Sequence, residues 1–344
     1  MPFGLHNAPM ARRKKTTPFW SQVLRRSLDM LAKQARQGAR QVSAGLQASA
    51  REQRAAQGVG QWLPGLAISP HGLRRYHLYK PRGTQPKQAL PLLVMLHGCG
   101  QDAQGFAALT RMNRLAERHR FLVLYPEQDR LANPQRCWNW FEARNGRAEG
   151  EAASILAAID QVCLQHPVDV QRLAVAGLSA GASMAALLAL RNPARFKAVV
   201  MHSGVAPGAA NSPLSALQAM RGRRRGAAAI DPNAAATAPL PALLVIQGNQ
   251  DHTVDASNGP AAAHRWVAGT GAQAAPVRVL QRGQRHPMVV TDFKLGRRVL
   301  ATWIQVQGLG HAWSGGAARE PFSDPRGPDA SRLIWAYVAR HFAA

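Results

Sequence analysis

The sequence predicts a mixed α/β fold, a mostly parallel central sheet with helices on both faces, preceded by a basic amphipathic helical extension. Three observations predict it. Short continuous apolar runs at 92–96, 198–201 and 243–246 suit strands buried on both faces. Helical segments separate these runs, as crossovers between parallel strands require. Finally, the run ending at Ala176 passes through Gly177, Leu178, Ser179, Ala180 and Gly181 into a small-residue helix over 182–190. A strand, a tight turn and a helix are the context that makes G-x-S-x-G meaningful.

The chain opens strongly basic. Net charge is +25 over 344 residues, beside an ordinary 46% hydrophobic fraction. Such a field favours polyanions, anionic lipid or acidic surfaces, and a general Arg and Ala bias explains much of it equally well. Residues 1–60 hold eleven Lys or Arg against Asp29 and Glu52. After a lead-in ending Arg12, Arg13, Lys14, Lys15, Thr17 and Pro18 make a good helix opening. Trp20, Leu24, Leu28, Leu31, Ala35, Val42 and Leu46 then share one stripe at helical period, and Arg25, Arg26, Lys33, Arg36 and Arg40 lie opposite. Two readings stand: a helix packed on the domain or free in solvent, and a helix attached to an anionic membrane or a polymer granule. Nucleic acid is not expected, because no aromatic interleaving or reader motif accompanies the charge. No run approaches the roughly 18 apolar residues of a membrane span, and no apolar core of a cleavable signal is visible. Residues 48–70 read as linker, so extension and linker are expected over 1–71 and one large domain over 72–344.

Within that domain, alternation at 74–80 predicts an early antiparallel strand. The strand at 92–96 runs into His97, Gly98, Cys99, Gly100 and Gln101. A helix over 106–118 and a strand over 121–125 follow, then a long loop through Cys137, Trp138, Asn139, Trp140 and Phe141. Its aromatics read equally as a hydrophobic plug or as a wall of the site. A crossover helix over 149–165 feeds the Ser179 strand, and residues 208–239 read as a surface insertion. Late elements are a helix over 258–268, strands over 277–280 and 299–306, and a closing helix over 330–342.

Ser179 is the candidate nucleophile. Beyond the strand at 243–246 comes Asp251, placed to orient an imidazole, with Asp255 as runner-up. After the last strand, Gly308 and Gly310 flank the approach to His311, the candidate general base, which completes the order Ser, Asp, His. The backbone N–H groups of Cys99 and Ala180 are the candidate oxyanion donors. Trp138, Trp140 and Trp313 are candidate substrate contacts. Cys99 and Cys137 either pair, bracing the oxyanion loop, or stay thiols in a reducing compartment; Cys163 is left over. The three cysteines show no zinc spacing, and neither metal nor cofactor is expected.

Taken together, HGCGQ (97–101), CWNWF (137–141), GLSAGA (177–182), GNQDHTV (248–254), GLGHAWSGG (308–316) and GPDAS (327–331) resemble the short-chain-length polyhydroxyalkanoate depolymerase family of esterases. The resemblance implies an α/β-hydrolase fold, a Ser179–Asp251–His311 triad and Cys99 in the oxyanion loop. It implies a serine esterase acting on short hydroxyacyl esters or their polymer, with feruloyl and acetylxylan esterases as related alternatives. Members are commonly extracellular, an expectation that the basic N-terminal segment leaves open against a cytoplasmic or granule-associated location. A silent, surface-binding protein is the alternative from a different class.

Overall fold

The computed structural model describes residues 59–223 and 239–343. The helix expected over 17–46 lies outside the described residues. The sheet opens with β1 (Gln61–Ser69), paired antiparallel to β2 (Gly72–Lys80), so the expected linker through residue 70 is corrected. Pro64 and Gly65 disguise the strand in the sequence. Gly65 earns its place by packing, since a Cβ there would stand 2.1 Å from the Tyr76 ring, while Trp62 stacks on His77 at 4.9 Å.

Next come β3 (Leu90–Leu96), α1 (Ala103–Thr110), α2 (Met112–His119), β4 (Leu122–Pro126), α3 (Arg147–Gln165), β5 (Val168–Leu178), α4 (Ala180–Arg191) and β6 (Ala198–His202). The single helix expected over 106–118 is broken at Arg111, which takes a left-handed φ of 53° and ends α1. The chain continues with α5 (Pro213–Met220), β7 (Ala242–Gly248), α6 (Asn258–Trp266), β8 (Gln273–Ala274), β9 (Arg278–Leu280), β10 (Met288–Leu295), β11 (Arg298–Val306), β12 (Trp313–Ser314), β13 (Ser323–Asp324) and α7 (Ala330–Phe342).

Strand order is β1-β2-β4-β3-β5-β6-β7-β11-β10-β8, with β9 also on β10. The six neighbours from β4 to β11 are mutually parallel, and antiparallel strands flank them. Alternation splits each inner strand between two cores. Leu92, Val94, Val175, Met201 and Val245 pack with Ile155, Leu188 and Trp266 of α3, α4 and α6. Leu93, Met95, Ala176, Val200 and Ile246 pack with Phe106, Met112 and Ile334 of α1, α2 and α7. Parallel strands covered by helices on both faces leave their C-terminal ends as the open edge where ligands can bind.

Candidate active site

Three strand ends converge there. Between β5 and α4 the chain turns at Ser179 with φ 56° and ψ −119°, a conformation an L residue rarely adopts. Close packing enforces the bend. A Cβ on Gly181 would lie 2.2 Å from the Leu96 carbonyl oxygen, and one on Gly177 2.3 Å from Gly181. The Ser179 N–H donates to the His202 carbonyl at 2.9 Å, locking the turn to β6.

Beyond β7, Asp251 is buried. Its Oδ1 accepts from the N–H groups of Thr253 (3.0 Å) and Val254 (2.8 Å), and its Oδ2 accepts from Gln247 Nε2 at 3.0 Å. Oδ2 also meets His311 Nδ1 at 2.8 Å, and His311 Nε2 reaches Ser179 Oγ at 3.0 Å. Since Asp251 can only accept as a carboxylate, the proton between it and His311 sits on Nδ1, leaving Nε2 to accept from the serine. Asp255 lies apart, its Oδ1 taking the Ser257 N–H in a local turn.

The loop after β3 is held from behind. His97 Nδ1–H donates to the Gly98 carbonyl at 2.8 Å, Nε2 accepts the Gln128 N–H at 3.1 Å, and the His97 carbonyl takes Trp138 Nε1–H at 2.9 Å. Burial lowers the His97 pKa to about 4, keeping the ring in that neutral tautomer. Glu151 on α3 gathers the next stretch, accepting from Asn139 N (2.8 Å) and Gln128 Nε2 (2.7 Å). Cys99 and Cys137 are joined as a disulfide, tying the oxyanion loop to the aromatic loop. Among the described residues no acceptor takes the N–H of Cys99 or of Ala180. Both residues border the cleft above Ser179.

That cleft encloses about 500 Å³ and is mostly apolar, with Trp140, Phe141, Leu217, Met220, Val254 and Phe322 among its walls. Its size suits a small-molecule site. One expectation for substrate contacts needs correction. Trp313 is 0% exposed, with Nε1 bonded to Ser331 Oγ and its ring stacked on His202 at 4.8 Å, so it is core. Trp138 is equally buried but does border the cleft, its Nε1–H held by the His97 carbonyl at 2.9 Å. Trp140 is half-buried and does line the cleft. The stretch read as a surface insertion instead supplies α5, capped by Ser212, as one wall; its continuation over 224–238 lies outside the described residues.

Gln247, Glu151 and α5 went unnoticed in the sequence. Gln247 had a signal, a polar residue closing an apolar run, and so did Ser212–Pro213, a capping residue before proline. Glu151 had none, because its partners lie on a loop.

The chain is 33% identical over 181 residues to poly(3-hydroxyalkanoate) depolymerase C of Paucimonas lemoignei, covering 49% of this chain and 42% of that protein. It is 27% identical over 248 residues to a poly(3-hydroxybutyrate) depolymerase of Ralstonia pickettii, covering 68% and 50%. Feruloyl esterase B of Neurospora crassa is 31% identical over 140 residues, covering 40% and 46%. The chain thus spans half or less of the length of these relatives. Among solved structures, an acetyl xylan esterase from Aspergillus awamori superposes with a TM-score of 0.58 at 19% identity, covering 74% of this chain and 94% of that one, which shows the shared fold. The model of the esterase PHB depolymerase family matches residues 74–276, taking in Ser179 and Asp251, and the chain belongs to that family.

Proposed function

We propose that this chain is a serine carboxylic ester hydrolase cleaving hydroxyacyl esters, short polyhydroxyalkanoate chains among them, through an acyl-enzyme. The observation that carries the reading is the line Ser179–His311–Asp251, with separations of 3.0 and 2.8 Å, opening into an apolar cleft. His311 Nε2 takes the Ser179 proton as Oγ attacks the ester carbonyl. Asp251 keeps the proton on Nδ1 and balances the imidazolium. The N–H groups of Cys99 and Ala180 bind the developing oxyanion. His311 then protonates the departing alcohol, accepts a proton from an attacking water, and returns it to Ser179 as the acid leaves.

Hydrolysis of p-nitrophenyl butyrate and of 3-hydroxybutyrate oligomers, beside Ser179→Ala, tests this. Both activities are expected, with a loss of about 10⁴-fold or more in the variant. Activity surviving the substitution would overturn the mechanism. A feruloyl or acetyl ester is the second reading, favoured by the perpendicular Trp140–Phe141 pair on the cleft wall, 5.4 Å between centroids; preference for methyl ferulate over the oligomers would select it.

The disulfide supports an oxidising, extracellular location. A granule or anionic surface as partner rests on the sequence pattern of residues 17–46. Deleting residues 1–58 should then abolish co-sedimentation with polymer granules and spare hydrolysis of the soluble ester; unchanged co-sedimentation would refute it.

A further inference from the structure

We propose that Phe322 determines specificity by walling the alcohol side of the cleft, a proposal that rests on the esterase reading above. Its backbone φ is 59°, in the left-handed region where bulky L residues are disfavoured and glycine is at ease. Its side chain is 48% exposed, so core packing does not repay that conformation. It lines the same cleft as Ser179 and His311.

The backbone is held by a small parallel ladder. Trp313 and Ser314 pair with Ser323 and Asp324, and the Trp313 N–H donates to the Phe322 carbonyl at 2.6 Å. Trp313 is itself immobilised against His202, so the segment leaving His311 loops back and fixes residue 322 at the cleft. Glycine would suit this backbone and a polar side chain would suit this exposure. A phenyl ring suits an apolar ligand, and strain stored beside a reactive centre points to function.

Chemistry assigns the side. His311 must reach the departing alkoxide, which places the alcohol half of the ester on the imidazole side of Ser179 Oγ. The carbonyl oxygen faces Cys99 and Ala180, and Trp140, Phe141, Leu217 and Met220 come from other segments. The alcohol that Phe322 would grip is apolar and larger than methanol: the next hydroxyacyl unit of an oligoester, or an aryl alcohol.

Two ester series separate the halves: methyl, p-nitrophenyl and 2-naphthyl butyrate vary the alcohol, whereas p-nitrophenyl acetate, butyrate and hexanoate vary the acyl chain. Phe322→Gly should lower kcat/KM for the naphthyl ester about tenfold more than for the methyl ester, and leave the acyl-chain order as in wild type. Its melting temperature should match or exceed that of wild type, and Phe322→Trp should restore the naphthyl preference. Equal losses on methyl and naphthyl esters, a change confined to the acyl series, or no change would each overturn the proposal. A wild-type enzyme inert on every ester overturns both readings; an active one indifferent to Phe322→Gly overturns this one alone.

Discussion

Ser179 illustrates how much of the site is imposed from outside the residue. Its φ of 56° and ψ of −119° hold only because Gly177 and Gly181 let α4 approach the end of β3. Asp251 is fixed just as closely, with two backbone donors on one oxygen and Gln247 and His311 on the other. That arrangement yields a prediction. In Asp251→Asn the side-chain amide can donate to His311 Nδ1, which moves the ring proton to Nε2, where it can no longer accept from Ser179. We expect kcat for p-nitrophenyl butyrate to fall about 10³- to 10⁴-fold with KM little altered; a parallel rise in KM would point to a collapsed cleft instead.

Between elements, two ties set the geometry. His202, at the end of β6, gives its backbone carbonyl to the Ser179 N–H, while its Nε2 accepts the Ser314 N–H at 3.1 Å, so one residue links the nucleophile turn to the segment carrying His311. The Cys99–Cys137 disulfide closes a separation of 38 residues across the oxyanion and aromatic loops. Replacing Cys137 with Ser should cost about 2–4 kcal/mol of stability, read from urea midpoints at constant m. An unchanged midpoint would mean that the loops are ordered without it. The parallel strands, α3, α4 and the Ser–Asp–His order were legible in the sequence, because buried runs and flanking glycines leave strong signals. β1 was hidden by Pro64 and Gly65, and β10 by polar Thr291 and Asp292 within an apolar run. Trp313 misled for a different reason: adjacency to His311 says nothing about which way a ring faces, and this one turns into the core.

At the scale of the molecule, burying His97 and His202 makes the fold acid-sensitive. Burial, the largest cause in each, lowers their pKa values from 6.5 to about 4 and about 3; for His202 the neighbouring His311 adds to the effect. The unfolded chain therefore binds more protons than the native one below pH 6.5, so stability is at its full value above that pH. It declines as pH falls, levelling for these groups near pH 4 and pH 3. At pH 5 each ring withholds about 2 kcal/mol. Melting temperature followed by calorimetry should drop by several degrees between pH 8 and pH 5, with a shallower decline in His202→Gln. A flat profile would contradict the neutral assignments.

The crossed strand order also fixes when reactivity can arise. β11 slots between β7 and β10, and only beyond it does the chain reach His311, 132 residues after Ser179. A chain emerging from the ribosome carries Ser179 and Asp251 well before it owns a base. The nucleophile thus lacks its base through most of synthesis, and the stretch that follows the last parallel strand in the sequence is the one that supplies it.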